Sequence, residues 1–122
     1  MLVDSAETDR ISATRREQTV AGRTVAVFGM LKDKDIAAVF REMRGAIDGW
    51  YLATLGGERG TSAEELARQA RAAGIDAPLQ TFATPAFAWA AATAEAGDPD
   101  RIVGFGSFYV VGDILASLDR GP

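Results

Sequence analysis

The stretch TVAVF at residues 24–28 decides the fold, because it is a continuous run of β-favouring apolar residues. A strand that is apolar on both faces is typical of a parallel sheet covered by helices on either side. The segment that follows it has a stripe of apolar residues at helical spacing, at Ile36, Val39, Phe40, Met43 and Ile47. This stripe predicts a helix packed against one face of the sheet.

The same alternation of apolar runs and helical segments continues along the chain. Further strands are predicted at WYLATL (50–55), PLQTF (78–82) and RIVGF (101–105). Strands that alternate with helices of ten or more residues indicate βαβ crossovers. The sequence therefore predicts an α/β, Rossmann-like three-layer domain, whose mainly parallel sheet has about five to six strands flanked by helices.

Capping residues place the ends of the later helices. Thr61 is predicted to begin the second helix, because Glu64 follows it at the spacing of a capping box. Gly74 is predicted to end that helix. Thr84 is predicted to cap the third helix, with Pro85 in its first turn.

Residues 1–23 are less clearly patterned than the rest of the chain. The stretch SAETDRISATRREQTVAG (5–22) has little apolar periodicity, so we expect a solvated helix or a mobile arm there. We therefore divide the chain into a poorly patterned N-terminal strand and arm at residues 1–23 and an α/β domain at residues 24–122.

Composition excludes several classes of function. The 122 residues include no cysteine and no histidine, which excludes disulfides, thiolate or imidazole metal ligands, and Ser-His-Asp or Cys-His catalysis. The net charge of -4 argues against nucleic acid or a membrane surface as a partner. No apolar run reaches the roughly 18–20 residues of a membrane span, and no signal peptide is apparent, so we expect a cytoplasmic protein.

Candidate ligand-binding segments lie where an open parallel sheet places its ligands, beyond the carboxyl ends of the strands. The helix N-termini at that edge favour anions. Four segments are predicted there, and each has a simpler interpretation as a turn, a helix cap or a surface connection: LVDSAET (2–8), GMLKDKD (29–35), GGERG (56–60) and GFGSFYVVG (104–112). None matches GxGxxG or a Walker-type phosphate loop, so the residues alone indicate a small α/β domain with an anion-friendly edge.

Three separated motifs resemble one family. VFGMLKDKDI (27–36), GWYLATLGGERG (49–60) and GFGSFYVVGDIL (104–115) are similar, in this order and spacing, to the carboxy-terminal domain of bifunctional dihydrofolate synthase/folylpolyglutamate synthase. That enzyme belongs to the Mur ligase superfamily. The resemblance covers roughly residues 24–118.

The resemblance implies part of an ATP-dependent ligase that forms an amide bond. In the complete enzyme a carboxylate of dihydropteroate or a folate is activated as an acyl phosphate, and the amine of L-glutamate attacks it. The N-terminal P-loop ligase domain is the implied partner, and it carries the P-loop and the Mg²⁺ ligands. We therefore expect the complete enzyme to use ATP and Mg²⁺, and this chain alone to be inactive and to bind no cofactor or metal by itself.

The resemblance also assigns site residues. The family begins this domain with Asp-x-Ala-His-Asn facing the nucleotide, and Asp4 matches its first position, although glutamate and threonine replace the last two. Lys34 is the implied stabiliser of the acyl phosphate, and Asp33 or Asp35 would orient the glutamate ammonium. Ser107 would contact the glutamate carboxylate, and Arg59 is a further anion-binding candidate.

A second hypothesis is a solitary, non-catalytic Rossmann-like module that binds a small anion, a nucleotide or a partner protein. The glutamate at position 7, where the family has histidine, favours it, because a carboxylate facing ATP phosphates is repulsive.

Overall fold

The computed structural model describes residues 2–4, 22–97, 100–106 and 108–120. Five strands lie in these ranges: β1 Leu2–Asp4, β2 Thr24–Gly29, β3 Gly49–Ala53, β4 Leu79–Phe82 and β5 Arg101–Gly106. The helices in the same ranges are α1 Ile36–Met43, α2 Ala63–Ala72, α3 Pro85–Glu95 and α4 Phe108–Arg120. The predictions made for residues 5–21 lie outside the described residues, and the domain boundary at residue 24 stays a prediction.

The five strands form one sheet in the order β1-β5-β2-β3-β4. The four strands β2 to β5 are parallel to their neighbours in this order, and β1 pairs antiparallel with β5. The predicted α/β domain with a mainly parallel sheet is therefore confirmed.

The direction of β1 corrects one expectation. Leu2 pairs with Phe105 and Asp4 pairs with Val103, so β1 runs away from the edge at which β2 to β5 end. Asp4 is therefore not the last residue of a parallel strand at that edge. A three-residue edge strand forms few ladder bonds, and its apolar pattern carries no information on its direction.

Two apolar layers explain why β2 is apolar throughout. Val25 and Val27 face one layer, in which they meet buried residues of α3 and α4 such as Trp89 and Ile114. Ala26 and Phe28 face the other layer, built with buried residues of α1 and α2: Ile36, Phe40, Ala63, Leu66 and Ala70. The ring of Trp50 packs at 5.8 Å from that of Phe28, measured between ring centroids, and fills the centre of the second layer. Because successive side chains of the strand point to opposite faces, each face of the sheet packs against its own layer of helices.

Side chains cap three of the helices. Asp35 Oδ1 accepts the Ala38 amide at 3.1 Å at the start of α1, and Thr84 Oγ1 accepts the Phe87 amide at 3.1 Å at the start of α3. The cap of Thr84 was predicted and is confirmed. Gly74 follows α2 with φ at +93°, as expected for a residue that ends a helix.

The predicted cap of α2 is wrong by one residue. Ser62 is the N-cap of this helix, and its Oγ accepts the Glu65 amide at 3.1 Å. Thr61 is instead only 2% exposed, because its main-chain amide donates to the Met30 carbonyl at 3.2 Å and holds it inside the preceding loop. The sequence TSAEE contains two overlapping capping boxes, and the loop contact selects the second.

Candidate functional site

The loops after β2 and β3 lie side by side at the carboxyl edge of the sheet, because these strands are parallel neighbours. We call residues 30–35 and 54–62 together the paired loops. The Lys32 amide donates to the Arg59 carbonyl at 2.7 Å, and Leu31 forms an isolated antiparallel bridge with Gly60. Main-chain hydrogen bonds therefore join GMLKDKD and GGERG into one unit.

Close backbone packing fixes the conformation of the loop after β3. A Cβ atom added to Gly60 would lie 1.9 Å from the Leu55 carbonyl oxygen, so only glycine fits there. The Leu55 amide donates to the Thr61 carbonyl at 3.1 Å, and Thr54 Oγ1 accepts the Ala63 amide at 2.8 Å. The loop is thus tied both to the end of β3 and to the start of α2.

Asp33 and Arg59 form an ion pair across the paired loops. Arg59 Nη2 donates to Asp33 Oδ2 at 2.6 Å, and the two side chains are 69% and 53% exposed, respectively. The hydrogen bond from Arg59 is the main reason why the pKa of the Asp33 carboxyl lies below its usual value. Asp33 is therefore a carboxylate at neutral pH, and a cation and an anion lie together at the exposed edge.

The two carboxylates of this loop have different contacts. Asp35 caps α1 through Oδ1, so its side chain turns back onto the helix start. Lys34 lies between Asp33 and Asp35 in the sequence and is exposed. Of the predicted residues, the structure thus brings Asp33, Lys34 and Arg59 to one exposed edge, and it places the Asp35 carboxylate in a capping contact.

Two predicted site residues are not brought to the paired loops by the described structure. Asp4 lies in the edge strand β1, and its main chain pairs with Val103, three positions before the last residue of β5. Ser107 lies outside the described residues.

Two glycines bring the end of β5 close to the end of β2. Gly106, the last residue of β5, pairs with Gly29, the last residue of β2, and has φ at +127°. A Cβ atom added to Gly106 would lie 1.9 Å from the Gly29 carbonyl oxygen. This contact sets where the chain leaves β5 and turns into α4.

Asp113 is a residue that the sequence did not single out. Its Oδ2 accepts the Ala86 amide at 2.8 Å, which joins α4 to the first turn of α3. It lies in the motif at residues 104–115, but nothing in the sequence showed that its partner would come from another helix.

A polar cavity of about 110 Å³ lies at the opposite edge of the sheet, where β2, β3 and β4 begin. Within its lining, the Tyr51 hydroxyl donates to Glu95 Oε1 at 2.5 Å, and Gln80 Nε2 donates to the same oxygen at 3.0 Å. Burial and the bond to Glu95 raise the pKa of Tyr51 to about 12. The sequence did not predict this cluster, because its members come from three separated elements.

Among the described residues, no three or more aspartates or glutamates form a group that could hold a metal ion. No helix in the same part of the chain is long and apolar enough to cross a membrane.

Comparison with known proteins identifies the family. The family described as "Mur ligase, glutamate ligase domain" matches residues 5–108, which is most of the chain and includes both paired loops. The chain belongs to this family.

The curated relatives of this Mur ligase domain are dihydrofolate synthase/folylpolyglutamate synthases. The protein of Escherichia coli (strain K12) is 38% identical over 98 residues, covering 80% of this chain and 22% of the relative. That of Haemophilus influenzae is 32% identical over 111 residues, covering 91% of this chain and 25% of the relative. The predicted resemblance to the carboxy-terminal domain of such enzymes is thereby confirmed.

Solved structures show the same fold. A structure described as E. coli FolC in complex with DHPP and ADP matches 92% of this Mur ligase domain with a TM-score of 0.74 and 33% identity. A bifunctional folylpolyglutamate synthase/dihydrofolate synthase with Mn, AMPPNP and L-glutamate bound matches 90% of it with a TM-score of 0.67 and 35% identity. The chain spans about a quarter of the length of these proteins, 27% and 26%, respectively.

Proposed function

We propose that this chain is the domain of a folate glutamate ligase that contacts ATP and L-glutamate, and that it is inactive without the P-loop ligase domain. The observation that carries this proposal is the pair of family loops at the carboxyl edge. Their main chains are joined, and they present Lys34, Asp33 and Arg59 to solvent. A cytoplasmic location goes with this function.

The chemistry requires an acyl phosphate to be stabilised and an amine to be positioned next to it. Lys34 supplies an exposed positive charge on a loop held by main-chain hydrogen bonds, which suits electrostatic stabilisation of a phosphoryl group. Asp33 supplies an ionised carboxylate for the glutamate ammonium. These roles rest on the positions of the residues and on the family resemblance.

The family resemblance puts the glutamate carboxylate at the beginning of α4. The first turn of α2 is a poor alternative for an anion, because it carries Glu64 and Glu65. The segment that leads into α4 contains Ser107, which we propose as a contact of the glutamate carboxylate.

ATP and Mg²⁺ belong to the complete enzyme in this proposal. Related structures contain ADP, or AMPPNP with manganese. The donor set of the described residues does not fit a metal ion, so we assign the Mg²⁺ ligands to the P-loop domain. Asp4 remains the candidate that faces ATP, although the direction of β1 gives it no support.

A chimeric enzyme tests the proposal. The matching quarter of the E. coli relative is replaced by this chain, and ADP release is measured with dihydropteroate, L-glutamate and Mg-ATP. We expect activity from the chimera and none from either piece alone. A folded chimera that releases no ADP contradicts the proposal.

Lys34→Ala in the active chimera tests the role of the lysine. We expect the turnover number to fall on the order of 10²-fold, because one preorganised charge at the developing transition state is lost. The matched control is Lys32→Ala, which removes another exposed lysine from the same loop. Turnover that is unchanged by Lys34→Ala would remove the lysine from the mechanism.

The direction of β1 favours a second candidate function, a solitary binding module for a small anion, a nucleotide or a partner protein. In that case the nucleotide-facing position of the family would have no use in this chain. An immunoblot of the source cell distinguishes the two functions. A band much larger than 12.9 kDa supports the ligase, and a band at that mass supports the binding module.

A further inference from the structure

The two helix layers of the domain have different outer surfaces. A helix that faces water usually carries charged or polar residues on its outer side. The layer of α1 and α2 follows this rule, because its exposed residues include charged ones: Arg41, Glu42, Glu64, Arg68 and Arg71. In the other layer, α3 carries no charged residue before Glu95, with which it ends. The outer side of α3 therefore lacks the pattern of a solvated helix.

The outer side of α3 is apolar along most of its length. Phe87, Ala90 and Ala94 recur at helical spacing and are all exposed. They lie opposite the residues that α3 buries, which are Pro85, Ala88, Trp89 and Ala92. The Phe87 side chain is 64% exposed, although an aromatic ring gains free energy when it leaves water.

Helix α4 extends this apolar surface. The Ala86 amide donates to Asp113 Oδ2 at 2.8 Å, so the first turn of α3 is joined to α4. Exposed residues of α4 near this bond are again small or apolar, and Leu115 is 46% exposed. We call the exposed residues of the two helices the outer apolar face: Phe87, Ala90, Ala94, Gly112, Leu115 and Ala116. Exposed apolar residues grouped in this way mark interaction surfaces.

The position of the outer apolar face indicates its partner. Strand β4 ends at Phe82 and α3 begins at Pro85, so Phe87 lies at the carboxyl edge of the sheet. In the proposed function, the P-loop ligase domain comes to that edge. The chain spans only 27% and 26% of two related proteins, so most of such a protein lies outside it and is available to cover the face. The stretch at residues 5–22 is a poor alternative, because it has little apolar periodicity.

We propose that the P-loop ligase domain docks against the outer apolar face of α3 and α4, with Phe87 as the contact nearest the carboxyl edge. This inference rests on the proposed function. Docking would remove the ring and the alanines from water without burying a charge, since α3 has none from Pro85 to Ala94. The contact uses the sides of two helices, and it is therefore separate from the contacts of the paired loops with substrates.

Cysteine labelling measures whether the face is covered. The chain has no cysteine, so one introduced thiol reports on one position. Ala90→Cys places the thiol in the outer apolar face, and the matched control Ala72→Cys places it at an exposed position of α2. We expect N-ethylmaleimide to modify the Ala90→Cys thiol about tenfold more slowly in the chimera than in the chain alone, because the core of an interface excludes water. The Ala72→Cys thiol is expected to react at the same rate in both.

Mass spectrometry of the peptide that carries the introduced cysteine gives the labelling rate, so thiols elsewhere in the chimera do not contribute. Equal rates for the Ala90→Cys thiol in the chimera and in the chain alone overturn the inference. A rate that is already slow in the chain alone and rises on dilution means that a second copy covers the face, and this also overturns the assignment to the P-loop domain.

Charged substitutions test whether docking supports turnover. Phe87→Asp places a carboxylate in the first turn of α3, where the helix dipole favours it, so the fold is expected to persist. In the active chimera, Phe87→Asp and Ala90→Glu are each expected to lower turnover about tenfold, since docking would bury an unpaired charge. Ala72→Glu, which adds the same charge to the other layer, is expected to leave turnover unchanged. Unchanged turnover in Phe87→Asp and Ala90→Glu contradicts the docking, and melting temperatures confirm that the variants are folded.

The labelling experiment is independent of catalysis, so it separates this inference from the proposed function. A chimera that is inactive but protects the Ala90→Cys thiol refutes the ligase function and leaves the docking standing. An active chimera in which that thiol reacts as fast as in the chain alone refutes the docking and leaves the ligase function standing.

Discussion

At the scale of single residues, the close approach of two backbones limits which residues fit at the carboxyl edge of the sheet. Gly106 has φ at +127°, and its Cα faces the Gly29 carbonyl so closely that any side chain would overlap it. Gly112, six residues later, lies on the exposed face of α4 with nothing within 4 Å of an added Cβ. Substituting the two glycines by alanine is therefore expected to have opposite effects on stability.

Gly106→Ala is expected to lower the free energy of unfolding by at least about 2 kcal/mol, since it adds backbone strain and a steric clash. Gly112→Ala, the matched control, is expected to raise it by up to about 1 kcal/mol, because alanine is the better helix former. Urea unfolding followed by circular dichroism measures both. Equal effects of the two substitutions would contradict this account of the β5–α4 junction.

Single residues also show which features of the site could not be predicted from the sequence. It offered Asp33 and Asp35 equally as partners for an ammonium, and only the structure shows that Asp35 caps α1. The pairing of Asp33 with Arg59 joins positions 26 residues apart, and it depends on β2 and β3 being neighbours. Because this contact depends on the order of the strands in the sheet, the local spacing of residues does not predict it.

At the scale of elements, the ends of α2 and α3 were predicted from capping residues, and a contact outside the helix decided the one exception. The loop contact of Thr61 moved the N-cap of α2 to Ser62. The direction of β1 was not predictable, because three residues at a sheet edge fit either orientation. By contrast, the long apolar run of β2 predicted that this strand is buried on both faces, and the structure confirms it.

Asp113 provides a test at this scale, since it joins α4 to the start of α3. Asp113→Ala removes the acceptor of the Ala86 amide and is expected to destabilise the domain by about 1 kcal/mol. Asp113→Asn keeps a side-chain oxygen at the same position and is expected to retain most of the stability. Comparison of urea midpoints measures the difference, and an unchanged midpoint in Asp113→Ala would show that the bond contributes nothing to stability.

At the scale of the whole molecule, the sheet order brings distant parts of the chain together at both edges. Asp100 accepts the Gly97 amide at 2.9 Å and both the amide and the guanidinium of Arg23 at 3.0 Å, just before β5 and β2 begin. These bonds, led by that of Gly97, lower the pKa of the Asp100 carboxyl from 3.8 to about 2. Because this pKa is depressed in the folded state, its contribution to stability is present above about pH 4 and is lost as the pH falls towards 2.

Asp100→Asn is therefore expected to destabilise the domain by about 1–3 kcal/mol at pH 7, since it replaces a charged acceptor with a neutral one. The difference from the wild type is expected to shrink as the pH falls from 4 to 2. Urea unfolding of both proteins at a series of pH values measures it. A difference that stays constant down to pH 2 would mean that the carboxylate charge is not what stabilises this edge.

The ladder between the paired loops has a consequence for protein engineering. Transplanting GMLKDKD alone into another ligase would leave the Lys32 amide and the Met30 carbonyl without their partners. Transplanting GGERG alone would leave the Arg59 carbonyl without the Lys32 amide. The two loops form a single exchangeable cassette, although some twenty residues of helix and strand separate them in the gene. Directed evolution of amino-acid preference should therefore randomise both loops in the same library.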